Sequence, residues 1–94
     1  MAFRKKWFSS EIVSTDGYFV RPYSPGAILY GDGLNKVYVG AEAPASGSNW
    51  MLYPEDMRVG SRWGKKLQDE ERRSLITDRI AEVFGFLGWE ITIP

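Results

Sequence analysis

Hydrophobic positions recur with a helical period only toward the carboxyl end. Leu75 and Ile76, then Ile80, then Val83 and Phe84, then Leu87 follow at three- and four-residue steps, which line up one face of an α-helix. Asp69, Glu70 and Glu71 stand before this stripe, where the positive end of the helix dipole favours carboxylates. Gly88 stands after it, where a left-handed glycine cap is common. The spacing predicts a helix over about 69–87, roughly 28 Å long, enough to cross a small sheet.

Everywhere else the pattern is that of strands and turns. Trp7 to Val13 is a short candidate strand, closed by the turn-prone Ser14-Thr15-Asp16-Gly17. Tyr18 to Gly26 holds strong β formers interrupted by Pro22 and Pro25, which cannot donate to a central ladder, so an edge strand or extended arm is expected. Ala27 to Tyr30 and Lys36 to Ala41 flank Gly31-Asp32-Gly33-Leu34-Asn35, whose glycines and asparagine can supply positive φ; this predicts a hairpin. Trp50 to Tyr53 predicts another strand, broken by Pro54-Glu55-Asp56, and Met57 to Lys66 has no firm period and reads as irregular. There, Val59 and Trp63 are candidates to drop beneath the helix start. After Gly88, Trp89, Ile91 and Ile93 alternate with Glu90 and Thr92, the period of a half-buried strand, and Trp89 is expected in the core. The simplest burial is an α+β fold of two layers: a mostly antiparallel sheet covered on one face by the single long helix, followed by a final strand.

Length and composition narrow this to one domain over 1–94 with one core. Twelve basic residues balance twelve acidic ones, so no net field recruits nucleic acid or an anionic membrane. Cysteine is absent, which suits a reducing cytosol and excludes disulfides and thiolate chemistry. Neither a signal-peptide pattern nor an apolar run of about twenty residues occurs, so the expected setting is soluble and cytoplasmic, with no membrane partner.

Histidine is absent too, which removes the commonest general base and zinc ligand and argues against an enzyme. Glu55-Asp56 or Asp69-Glu70-Glu71 could in principle hold Mg²⁺, but a solvated turn and a helix start account for them better, so no cofactor or metal is expected. Lys36-Val37-Tyr38-Val39-Gly40 and Gly17-Tyr18-Phe19-Val20 look faintly like the two aromatic strand motifs of an RNA-recognition domain. Their order is reversed, and with the balanced charge this argues against nucleic acid. The strand Tyr18 to Tyr23 could pair across a homodimer, although its prolines equally suit a protected edge.

From Gly26 to the end the chain resembles family 74 of the immunity proteins of bacterial polymorphic toxin systems. The resemblance lies in the hairpin Ala27 to Val39, the step Ala41-Glu42, the strand Trp50 to Tyr53, Trp63 before the helix, and the run from Asp69 through Ile80 and Phe84 to Gly88. It implies a small inhibitor that neutralises a cognate protein toxin in the producing cell by tight, non-catalytic binding. Aromatic side chains often anchor such interfaces, and the contact set expected on this reading is Glu42, Trp50, Tyr53, Glu55, Asp56 and Trp63. A structural or protein-interaction module of another kind remains the alternative.

Overall fold

The computed structural model describes residues 16–94, together with the backbone of two short strands before them, β1 (Phe3–Lys5) and β2 (Ile12–Ser14). Strands β3 (Phe19–Ser24), β4 (Ala27–Gly31), β5 (Lys36–Glu42), β6 (Asn49–Val59) and β7 (Lys65–Lys66) follow. Helix α1 (Glu70–Leu87) and strand β8 (Glu90–Thr92) complete the order. The strands pair antiparallel in chain order from β1 to β7, while β8 returns parallel to the first half of β6. This is an α+β fold, with α1 lying across one face of the sheet.

The helix begins and ends where the sequence marks it. Asp69 is the N-cap, its carboxylate accepting from the amides of Glu71 and Arg72 at 3.0 and 3.3 Å. Gly88 adopts φ 76°, which lets its amide reach Gly85 O and the amide of Trp89 reach Phe84 O, closing the last turn. The same turn brings the Trp89 ring edge-on to Phe84 at 5.3 Å, and both meet Trp50. Ile76, Ile80, Val83 and Phe84 are fully buried against Val20, Ile28, Tyr30, Val37, Val39, Leu52 and Met57. Leu75 is the exception in the stripe: 42% exposed, it lies outside the strip that the sheet covers.

Several expectations change. The stretch from Trp50 to Val59 is one strand, not two segments separated by a break. Val39 and Gly40 are consecutive on β5, yet their partners on β6 are Met57 and Tyr53, so Pro54, Glu55 and Asp56 bulge out and the ladder resumes beyond them. Proline lacks an amide donor, and a bulge is where a strand tolerates that lack. Met57 to Lys66 is correspondingly not irregular throughout, since it contains the end of β6 and all of β7. Met57 and Leu67 pack into the core there, Val59 is half-buried, and Trp63 is 86% exposed. Strand β3 is not a simple edge, because β2 pairs with its Phe19 and Val20, which occupies that part of the margin proposed for a dimer; Pro22 lies beyond this pairing. The candidate strand from Trp7 is described only at Ile12–Ser14, and its earlier part lies outside the described residues.

The hairpin β4–β5 forms as expected, but its loop uses no positive φ. Asp32 closes it instead, one carboxylate oxygen accepting from the amides of Leu34 and Asn35 at 2.8 and 3.2 Å while its own amide donates to Asn35 O.

Candidate functional site

Strand alternation separates two surfaces. Val20, Ile28, Val37 and Met57 point toward α1, so their neighbours Arg21, Leu29, Tyr38 and Arg58 point the other way. Register sets Arg21, Leu29, Tyr38, Arg58 and Lys66 side by side across five strands on this helix-free face. At about 4.8 Å per strand the row is roughly 19 Å long. Tyr23 packs edge-on to Tyr38 at 4.9 Å, and the Arg21 guanidinium lies 5.8 Å from the Tyr23 ring centre.

The β6 bulge adds a second group to the same face. Gly40 has no side chain, and a Cβ there would run into the Asp56 carboxylate, so the glycine makes the hollow in which Asp56 lies. Two arginines hold Asp56, with Arg58 Nε at 3.5 Å from Oδ1 and Arg62 Nη2 at 3.2 Å from Oδ2. Arg58 also donates to Gly64 O, and Arg62 lies 5.1 Å from the centre of the Trp63 ring. Trp63 is thus held by its neighbours while remaining in solvent. Beside it is a groove of about 490 Å³ lined by Tyr53, Glu55, Asp56, Arg58, Arg62, Trp63 and Lys66. The Tyr53 hydroxyl donates to Glu42 at 3.3 Å, and partial desolvation together with that carboxylate pushes the phenol above its ordinary pKa.

Four of the six residues expected from the sequence, Tyr53, Glu55, Asp56 and Trp63, line this one groove, and Glu42 adjoins it through Tyr53. Trp50 does not belong with them. It is 7% exposed and stacks on Trp89 inside the core, because the alternation of β6 turns it toward α1. The residues that sequence reasoning missed here are Arg58, Arg62 and Lys66, whose placement depends on a bulge no local pattern announces.

A different polar cluster joins the hairpin loop to α1. The buried Tyr30 donates to Asp32 at 2.7 Å and accepts from Arg79 at 2.6 Å, and Arg72 reaches Asp32 at 2.8 Å and Asn35 at 2.8 Å. Burial by itself would raise the Asp32 pKa. The hydrogen bonds from Tyr30, from the Leu34 and Asn35 amides and from Arg72 outweigh it and lower the pKa to about 2. This site is filled by its own side chains and offers no open coordination.

No protein-family model matches the chain, and no curated protein or solved structure does either. Among the described residues no three acidic side chains come together in a way that could hold a metal ion, and no helix is long and apolar enough to cross a membrane.

Proposed function

We propose that this chain is a non-catalytic protein-binding domain, an immunity protein that neutralises a cognate bacterial toxin in the cytoplasm by docking through the helix-free face at the β6 bulge. The observation that carries the reading is Trp63, 86% exposed yet braced by Arg62 at the rim of a groove. Tryptophan, tyrosine and arginine dominate the energetics of protein interfaces, and here Trp63, Tyr53, Arg58 and Arg62 stand together before any partner is bound. A bracing cation limits the freedom that the indole loses on docking. The order of hairpin, strand, helix and final strand, on which the resemblance rests, further supports the immunity reading, and a stable complex would bury about 800 Å² on each partner.

The test is whether a toxin is encoded beside this gene and, on co-expression, forms a complex with this chain. A stable complex that spares the producing cell is expected, and Trp63→Ala should weaken it by more than about 2 kcal/mol, roughly 30-fold. Unchanged affinity on alanine substitution at each of Glu42, Tyr53, Glu55, Asp56 and Trp63 would dispose of this docking surface.

A further inference from the structure

The chain is neutral overall, yet the row that crosses β3 to β7 on the helix-free face, Arg21, Leu29, Tyr38, Arg58 and Lys66, carries three cations and no carboxylate. The helix-free face carries Arg21, Lys36, Arg58, Arg62 and Lys66. Of the carboxylates near them, Asp56 is already held between Arg58 and Arg62, Glu42 accepts from Tyr53, and Glu55 is exposed at the bulge beside the groove, away from Arg21. Arg21, Lys36 and Lys66 have no ion-pair partner among the described residues. Around the opposite layer, Asp69, Glu70, Glu71, Asp78 and Glu82 outnumber the three arginines of α1 and Lys65, whereas Glu90, paired with Asn49, lies on the helix-free side at the far end of β6.

The geometry points to an acidic protein segment as the occupant of this face, lying across the strands with carboxylates on Arg21 at one side of Tyr38 and on Arg58 and Lys66 at the other. This rests on the docking reading above and adds the chemistry of the partner. Arg21 and Arg58 are three strands apart, about 14 Å, so the segment is extended and brings acidic groups separated by about four residues, with an apolar or small side chain between them over Tyr38. Arginine forks match carboxylates with two parallel hydrogen bonds, which gives register as well as attraction. Single-stranded nucleic acid would also meet cations here, but it needs free aromatic faces for its bases. Along the row Tyr23 and Tyr38 already engage each other and a guanidinium lies over Tyr23, which leaves the exposed Trp63, at its margin, as a single open ring and not a run of them.

Neighbouring lysines supply the control. Lys66 belongs to the helix-free row, whereas Lys65 pairs with Val59 and points to the other side. Labelled poly-L-glutamate of about twenty residues is titrated against the intact chain by fluorescence anisotropy at low and physiological salt, with an oligothymidylate of matched charge alongside. Expected are binding of the polyglutamate that weakens with salt, a loss of at least fivefold in Arg21→Gln and in Lys66→Gln, and no change in Lys65→Gln. An equal loss in Lys65→Gln, tighter binding of the oligothymidylate, or no binding of either probe overturns the proposal. A toxin that requires Trp63 but is indifferent to Arg21 and Lys66 would overturn it too, while leaving the docking surface intact.

Discussion

Two aspartates, each held by two arginines, differ in almost every other respect. Asp32 joins the hairpin loop to α1 through Arg72 and Arg79, and only 9% of its side chain is exposed. Asp56 joins the β6 bulge to Arg58 and Arg62 on the open face and is 38% exposed. The arginine partners of Asp32 come from some forty positions away, so the cluster fastens the helix to the sheet. Partners of Asp56 are two and six residues away, so that cluster shapes a local surface and fastens little. The same chemistry fastens elements together where water is excluded and shapes a surface where it is not, because ion pairs in water contribute little to folding.

The contrast is broken most directly by removing each carboxylate. Asp32→Ala leaves Arg72, Arg79 and the Tyr30 hydroxyl without their shared acceptor, and a loss of about 2 to 4 kcal/mol is expected. In a chain of this length that lowers the melting midpoint by well over 8 °C. Asp56→Ala should cost under about 1 kcal/mol and show its main effect on partner binding. Equal losses of stability in calorimetry would erase the distinction.

Acid is the next probe. Asp32 titrates near 2 in the folded chain, below its value of 3.8 when unfolded, so its contribution is fully present above about pH 4 and is lost as the pH falls from there toward 2. About 1 to 2 kcal/mol of stability should disappear over that window, and Asp32→Asn should lack this part of the slope. Denaturant midpoints measured for both proteins between pH 5 and 2 read the difference. Parallel curves would mean that Asp32 is not the group responsible.

The two clusters were not equally legible in the sequence. The helix, both its caps, the hairpin and the final strand follow from period and from single cap residues, since those signals are local. The fastening cluster left a trace that was readable in retrospect: Arg72 and Arg79 are two turns apart, in line with Ile76, Ile80 and Val83. The open face left less. Of the contacts that the resemblance suggests, Glu42, Tyr53, Glu55, Asp56 and Trp63 are in or beside one groove, whereas Trp50, two residues into the same strand, faces the core. Pro54 suggests an ending. Only the long-range pairing of Val39 with Met57 and of Gly40 with Tyr53 turns that ending into a bulge, and with it Arg58 and Lys66 join the row.

The smallest expected effect isolates the hollow that seats Asp56. A Cβ at Gly40 would sit 2.9 Å from Asp56 Cβ and Cγ, closer than side-chain carbons settle, and the carboxylate would have to move off Arg58 and Arg62. The fold can accommodate that movement because Asp56 lies at an exposed bulge, so Gly40→Ala should cost on the order of 1 kcal/mol. The cost should shrink when Asp56→Ala is already present, since the carboxyl carbon and oxygens are then gone. A double-mutant cycle on thermal stability measures the coupling, and the same four proteins titrated with the partner show whether docking follows the position of Asp56. Identical costs in the two backgrounds would mean that the new side chain meets the Asp56 Cβ, which alanine keeps, and that the carboxylate's seat does not depend on Gly40.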